Sequence, residues 1–216
     1  MKNATEVDFF VEVGDFSSLT HRVHAFGIKT LYISQRDQSR TTDSWIALMR
    51  TMYPIVDPDE KILPICKEPA LQGDLIGTSG LGQFSKTHPF YPRSLLEAYF
   101  TVSYLKSAFI PFLDDPPLFC NAKDICTEKL HPDTHTCLQD AGSPVYQFDC
   151  EVTDGVMYKV PKCLYGMVKS IPYDDLDRTG EHRGCKGPEV FVNITFWRPD
   201  ILNVIENYER NIRTEA

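Results

Sequence analysis

The residues best suited to chemistry crowd into the second half of the chain. Four of the seven cysteines (Cys120, Cys126, Cys137 and Cys150) fall within thirty-one residues, and Cys163 and Cys185 follow closely. His131, His135 and Cys137 stand at ligand-like spacing, with Cys120 and Cys126 nearby. A zinc site needs four such ligands in a tight arrangement, and no C-x-x-C pair accompanies these, so no metal is expected. Disulfide chemistry fits the cysteine density better and implies an oxidising compartment. Cys150 and Cys163 flank the turn Asp154-Gly155 and could pair across a hairpin, while Cys120 and Cys126 could close a small loop. Two Asn-x-Thr triplets, at Asn3 and Asn193, fit secretion.

The elements that must hold these residues are mostly strands. Short apolar runs read as strands at Val7–Val13, Ile28–Ile33, Trp45–Met49, Leu63–Cys66, Asp74–Ile76, Ala98–Tyr104, Val145–Cys150, Met157–Val160, Leu164–Val168 and Val190–Ile194. Fifteen prolines and twelve glycines punctuate them. One amphipathic helix is expected at the end, with Pro199 in its first turn and Ile201, Val204, Ile205, Tyr208 and Ile212 at helical spacing. The expected class is therefore all-β, a barrel or sandwich closed by one C-terminal helix. A hydrophobic fraction of 42% with 24% charged residues excludes a disordered chain. The formal charge of −8 disfavours nucleic acid as a partner, and no apolar run is long enough to insert into a membrane. The opening MKNATEVDFF does not read as a signal peptide, which conflicts with a disulfide-rich chain unless the natural N-terminus lies upstream.

Several segments, in order, resemble the trypsin-like serine proteases, peptidase S1. Thr136–Tyr146, TCLQDAGSPVY, stands where that family carries C-x-G-D-S-G-G-P around its nucleophile. Leu164–Val168 and Gly184–Ile194, GCKGPEVFVNI, resemble the strand and pocket wall that follow. Upstream, Trp45–Arg50 resembles the strand bearing the triad aspartate, Leu63–Cys66 resembles R-P-V-C, Ser79–Gly82 resembles T-G-W-G, and Phe9–Ser17 fits a strand of the first barrel. The resemblance implies a chymotrypsin-like fold of two six-stranded β-barrels. On it, residues 1 to about 105 hold the remainder of an incomplete first barrel and a linker, while the segment at Pro111–Pro117 reads as a linker or a surface loop and marks a second candidate boundary. Residues from about 106 to 216 then hold the second barrel and the C-terminal helix.

The chemistry implied is a damaged one. Acyl transfer in this family needs a serine, a histidine, an aspartate and two oxyanion-binding N–H groups. The nucleophile position falls on Ala141, the aspartate position on Trp45 and the oxyanion glycine on Gln139, while the histidine segment has no counterpart. Asp43, His21 and His24 are poor substitutes by position, and Ser143 replaces the second glycine of the motif. Losing the nucleophile alone costs on the order of 10⁶ in turnover, so Ala141 decides against peptide hydrolysis. Asp140 matches the aspartate that pairs with the N-terminus created by zymogen cleavage. The specificity pocket is expected to hold His135 on its floor and Glu189 on its wall, meeting as an ion pair, with Lys169, Ser170 and Ile171 as its lining.

The resemblance also pairs Cys137 with Cys185 and leaves Cys66 unpaired or bound outside this chain. The reading that follows is an inactive, N-terminally truncated homologue, secreted, without cofactor, binding a protein partner not identifiable from sequence. The alternatives are a serine endopeptidase in its full-length form and a non-functional gene fragment.

Overall fold

The structure is a computed structural model, and it describes residues 10–14, 23–33, 46–55, 62–80, 95–103, 120, 122–129, 136, 140–169 and 190–215. The chain divides into two compact units, Met1–Ile62 and Leu63–Ala216. In the first, β1 (Phe10–Gly14), β2 (Val23–Ile33) and β3 (Ala47–Thr51) form an antiparallel sheet in that order. An irregularity between Ile28 and Thr30 shifts the β2–β3 register by one residue.

In the second unit, six strands close into a barrel. They are β4 (Leu75–Gly80), β5 (Leu96–Val102), β6 (Asp124–Lys129), β7 (Pro144–Thr153), β8 (Val156–Val168) and β9 (Val190–Asn193). Their order around the ring is β4-β5-β6-β9-β8-β7. Alternation sets the interior. Along β5, Phe100 and Val102 point inward while Glu97 and Tyr99 face out. Phe100 and Phe191 meet edge to face at 5.4 Å in a core shared with Ile76, Ile125, Val145 and Val168.

The ring overturns the expected boundary near residue 105. Strands β4 and β5 belong to the closed barrel, because β4 pairs with β7 and β5 pairs with β6. The division falls at Ile62/Leu63 instead, and Pro111–Pro117 lies within the connection between two neighbouring strands of one barrel. Apolar alternation finds strands but says nothing about their partners, which is why the sequence misplaced the break.

Pairing across the hairpin also settles the cysteines. The Asp154-Gly155 turn forms as expected, both residues having positive φ (54° and 76°), and it joins β7 to β8. The register then sets Cys150 opposite Lys159 and Cys163 opposite Gln147. The two cysteines are thus offset by about 10 Å along the ribbon, beyond the reach of a disulfide. Cys163 bonds to Cys66 instead, and Cys150 is an exposed free thiol. Both expectations, a Cys150–Cys163 bridge and an unpaired Cys66, are corrected. The Cys120–Cys126 bridge is present.

The helix, α1 (Ile194–Glu215), starts five residues earlier than expected, so Pro199 lies inside it rather than in its first turn. Asn193 sets the start. Its Oδ1 accepts from the Phe196 N–H at 3.3 Å and from the Thr195 hydroxyl, an N-cap that fixes the first turn. Its Nδ2 donates to the Ala122 carbonyl at 3.0 Å. Ile194, Trp197 and Ile201 then bury one face of the helix, whereas Ile205, expected on that face, is exposed.

The cap corrects the secretion argument drawn from Asn193. The residue is 7% exposed and its amide is bonded on both sides, leaving no room for a glycan in the folded protein. Mass spectrometry of protein secreted from a glycosylating host is expected to find Asn193 unmodified. Asn193→Ala is expected to cost roughly 2 kcal/mol in urea unfolding, the sum of a lost cap and a carbonyl left without its partner.

Candidate active-site turn

The segment Asp140–Ser143 leads into β7 and is docked on the end of β8. The Ser143 N–H donates to the Asp140 carbonyl at 2.8 Å and closes the turn. The Gly142 N–H donates to the Val168 carbonyl, and the Val168 N–H donates to the Ser143 carbonyl, each at 2.9 Å. Gly142 takes φ of +88°, which glycine adopts without strain. On the β4 side, the Thr78 hydroxyl donates to the Pro144 carbonyl at 2.7 Å.

Gly80 is the residue on β4 that makes this fit. A Cβ there would collide with the Asp140 carboxylate and come within 3.0 Å of the Ser143 hydroxyl oxygen. The glycine therefore lets Asp140 and Ser143 pack against bare backbone. Ser79–Gly82 was legible as a motif, but the reason for its first glycine was not.

Ala141 stands exposed at the tip of this turn. Its methyl group offers neither a nucleophile nor a proton. Ser143, two residues on, is half-buried, with its backbone N–H and carbonyl both engaged and its hydroxyl packed toward Gly80. Trp45, His135, Cys137, Gln139, Ser170, Ile171, Cys185 and Glu189 lie outside the described residues, as do Asp43, His21, His131 and Asn3; of His24 only the backbone is described.

Lys169 is described, and its ammonium is already committed. Its Nζ lies 3.1 Å from Oδ1 of Asp124, a carboxylate whose residue is 4% exposed at the start of β6. This pair is invisible to sequence patterning, because forty-five positions separate its members. Among the described residues, no group of three or more His, Cys, Asp or Glu could hold a metal ion. No helix among them is long and apolar enough to cross a membrane.

A second polar cluster lies on the outer wall of the barrel. Tyr99 and Tyr146 both donate to the Glu97 carboxylate, at 2.5 and 3.4 Å. Burial, and then the Glu97 negative charge, pushes the Tyr146 phenol up to about 12, and burial with the Glu97 hydrogen bond raises Tyr99 further. Both phenols stay protonated, and so remain donors, throughout the physiological range.

The backbone has close counterparts among solved structures. A scabies mite inactivated protease paralogue, S-D1, superimposes with a TM-score of 0.59 at 22% identity, covering 87% of this chain and 72% of that one. Mouse neuropsin, a serine protease expressed in the limbic system, gives 0.64 at 15% identity, covering 93% and 81%. The chain has the chymotrypsin-like fold. No protein-family profile matches the sequence, and no curated protein matches it.

Proposed function

We propose that this chain is a catalytically silent homologue of the trypsin-like serine proteases, secreted, and acting through binding to another protein. The observation that carries the reading is Ala141. By the resemblance of TCLQDAGSPVY to the family motif it falls at the nucleophile position, and it stands at the exposed tip of the turn with only a methyl group to present. Peptide hydrolysis by this fold starts with attack by an activated oxygen, and a methyl group supplies none. Ser143 is a poor substitute. Its hydroxyl packs toward Gly80, on a backbone pinned by hydrogen bonds to Asp140 and Val168. One of the similar structures is itself named an inactivated protease paralogue, so a silent protease has been seen on this scaffold. The disulfides Cys66–Cys163 and Cys120–Cys126 support an oxidising, extracellular setting.

The purified chain is expected neither to turn over peptide esters nor to label with a biotinylated fluorophosphonate. Stoichiometric labelling that disappears in Ser143→Ala would overturn the reading and assign the nucleophile to Ser143. Labelling that survives Ser143→Ala at a small fraction of the protein is the mark of a contaminating hydrolase and leaves this chain silent.

A further inference from the structure

On the outside of the barrel, Tyr99 from β5 and Phe148 from β7 stand nearly at right angles, their ring centroids 5.3 Å apart and their planes at 71°. The corner between them holds an ammonium group. Lys159 from β8 places its Nζ 3.3 Å from the Tyr99 ring centroid and 5.4 Å from that of Phe148. Behind the corner, the Glu97 carboxylate accepts from the Tyr99 hydroxyl, so a fixed negative charge lies beside the rings. Two ring faces, one of them carrying a hydroxyl bonded to a carboxylate, form an environment that attracts an ammonium ion.

The corner is open to solvent. Lys159 and Glu97 are exposed, and Tyr99 and Phe148 are half-buried. An exposed contact of this kind favours the docked side chain by a factor of only roughly 2 to 5. Lys159 therefore leaves easily on its flexible stem. The surface beside the corner is apolar. Val152 and Met157, paired across the ribbon on the same face as Lys159, are 71% and 66% exposed. Such a face suits a polypeptide that brings apolar neighbours with its cation better than it suits a free ion.

The geometry points to a recognition site for a lysine-type ammonium, primary or N-methylated, carried on a polypeptide with apolar flanking residues. Lys159 is its built-in competitor. The site does not depend on whether the turn at Ala141 is silent, and its test uses no hydrolytic readout.

Three probes decide it, each followed through the ring resonances of Tyr99 and Phe148 by NMR. They are tetramethylammonium chloride, a short peptide with one trimethyllysine between leucines, and the same peptide with norleucine in its place. Both cations are expected to shift the two rings, and the cationic peptide to bind more tightly than tetramethylammonium. Lys159→Ala is expected to tighten both by about 3- to 6-fold, because the competitor is gone. Tyr99→Leu and Phe148→Leu, each checked for a native amide spectrum, are expected to weaken binding at least tenfold. Failure of any cation to perturb the rings, in the native chain and in Lys159→Ala alike, would overturn the site. Equal binding of the norleucine peptide would reduce it to a greasy patch. Tetramethylammonium binding as tightly as the peptide would overturn the polypeptide ligand in favour of a free cation.

Discussion

Removing the Cys66–Cys163 disulfide is expected to cost about 4–5 kcal/mol of stability. The bond joins residues 97 positions apart, and cross-linking a loop that long withdraws much of the conformational freedom of the unfolded chain. In the native state it ties the segment before the barrel to β8. The Cys66 N–H donates to the Leu164 carbonyl at 3.0 Å, and the Leu164 N–H donates to the Pro64 carbonyl at 2.8 Å. Cys66 itself is 3% exposed and belongs to the core cluster around Phe100. The Cys120–Cys126 bridge closes only six residues, for which the same chain-entropy relation gives about 2 kcal/mol. Cys66→Ala with Cys163→Ala should therefore lower the denaturant-derived stability about twice as much as Cys120→Ala with Cys126→Ala. A loss no larger for the long loop than for the short one would show that closure entropy is not what Cys66–Cys163 supplies. Non-reducing peptide mapping gives an independent check, since a Cys150–Cys163 peptide would contradict the register of the whole hairpin.

The sequence carried the architecture but not the partnerships. Strand β5 was legible because it alternates and buries one face against the core, and β9 because it is a short apolar run that the barrel buries almost throughout. Strand β6 was missed. Its sequence, DICTEK, begins and ends with charges, and its first charge is buried only because Lys169 comes from elsewhere to meet it.

The sequence pattern divides strand β8 into Met157–Val160 and Leu164–Val168. The structure keeps it whole by placing Pro161 at a register irregularity, where Lys162 is the extra residue and a missing N–H is tolerated. The helix start was misread because Pro199 is a strong signal for a first turn, while Asn193 caps only once Ala122 and Lys123 are positioned to anchor it. At the candidate site, the identity of Ala141 was plain from sequence. The packing of Asp140 and Ser143 against Gly80 was not, because it depends on β4 arriving from sixty residues upstream.

The Asp124–Lys169 pair should respond unequally to losing one member or the other. Asp124 is enclosed, with a side chain 5% exposed, whereas the Lys169 side chain is 30% exposed. Lys169→Met leaves a carboxylate inside the barrel wall without its cation, and an uncompensated buried charge costs about 3–5 kcal/mol. Because the ammonium sits partly in solvent, its attraction is screened, and the expected loss is reduced to about 2–4 kcal/mol. Asp124→Asn removes the carboxylate instead. The ammonium it abandons can swing to water on its four-carbon stem, and the asparagine can still accept a hydrogen bond, so the expected loss is about 1 kcal/mol.

The double variant should be more stable than Lys169→Met alone, since the second change removes the charge the first one stranded. Urea unfolding of the three variants measures each of these differences. Equal losses for the two single variants would mean that Asp124 reaches water when its partner is gone, and that the pair is a surface contact. A large loss for Lys169→Met, recovered in the double variant, would assign Lys169 to holding β6 against the end of β8. Its charge would then be unavailable to a ligand. That outcome narrows where this fold can offer a binding surface, because one cation expected in the specificity pocket is spent on the barrel itself.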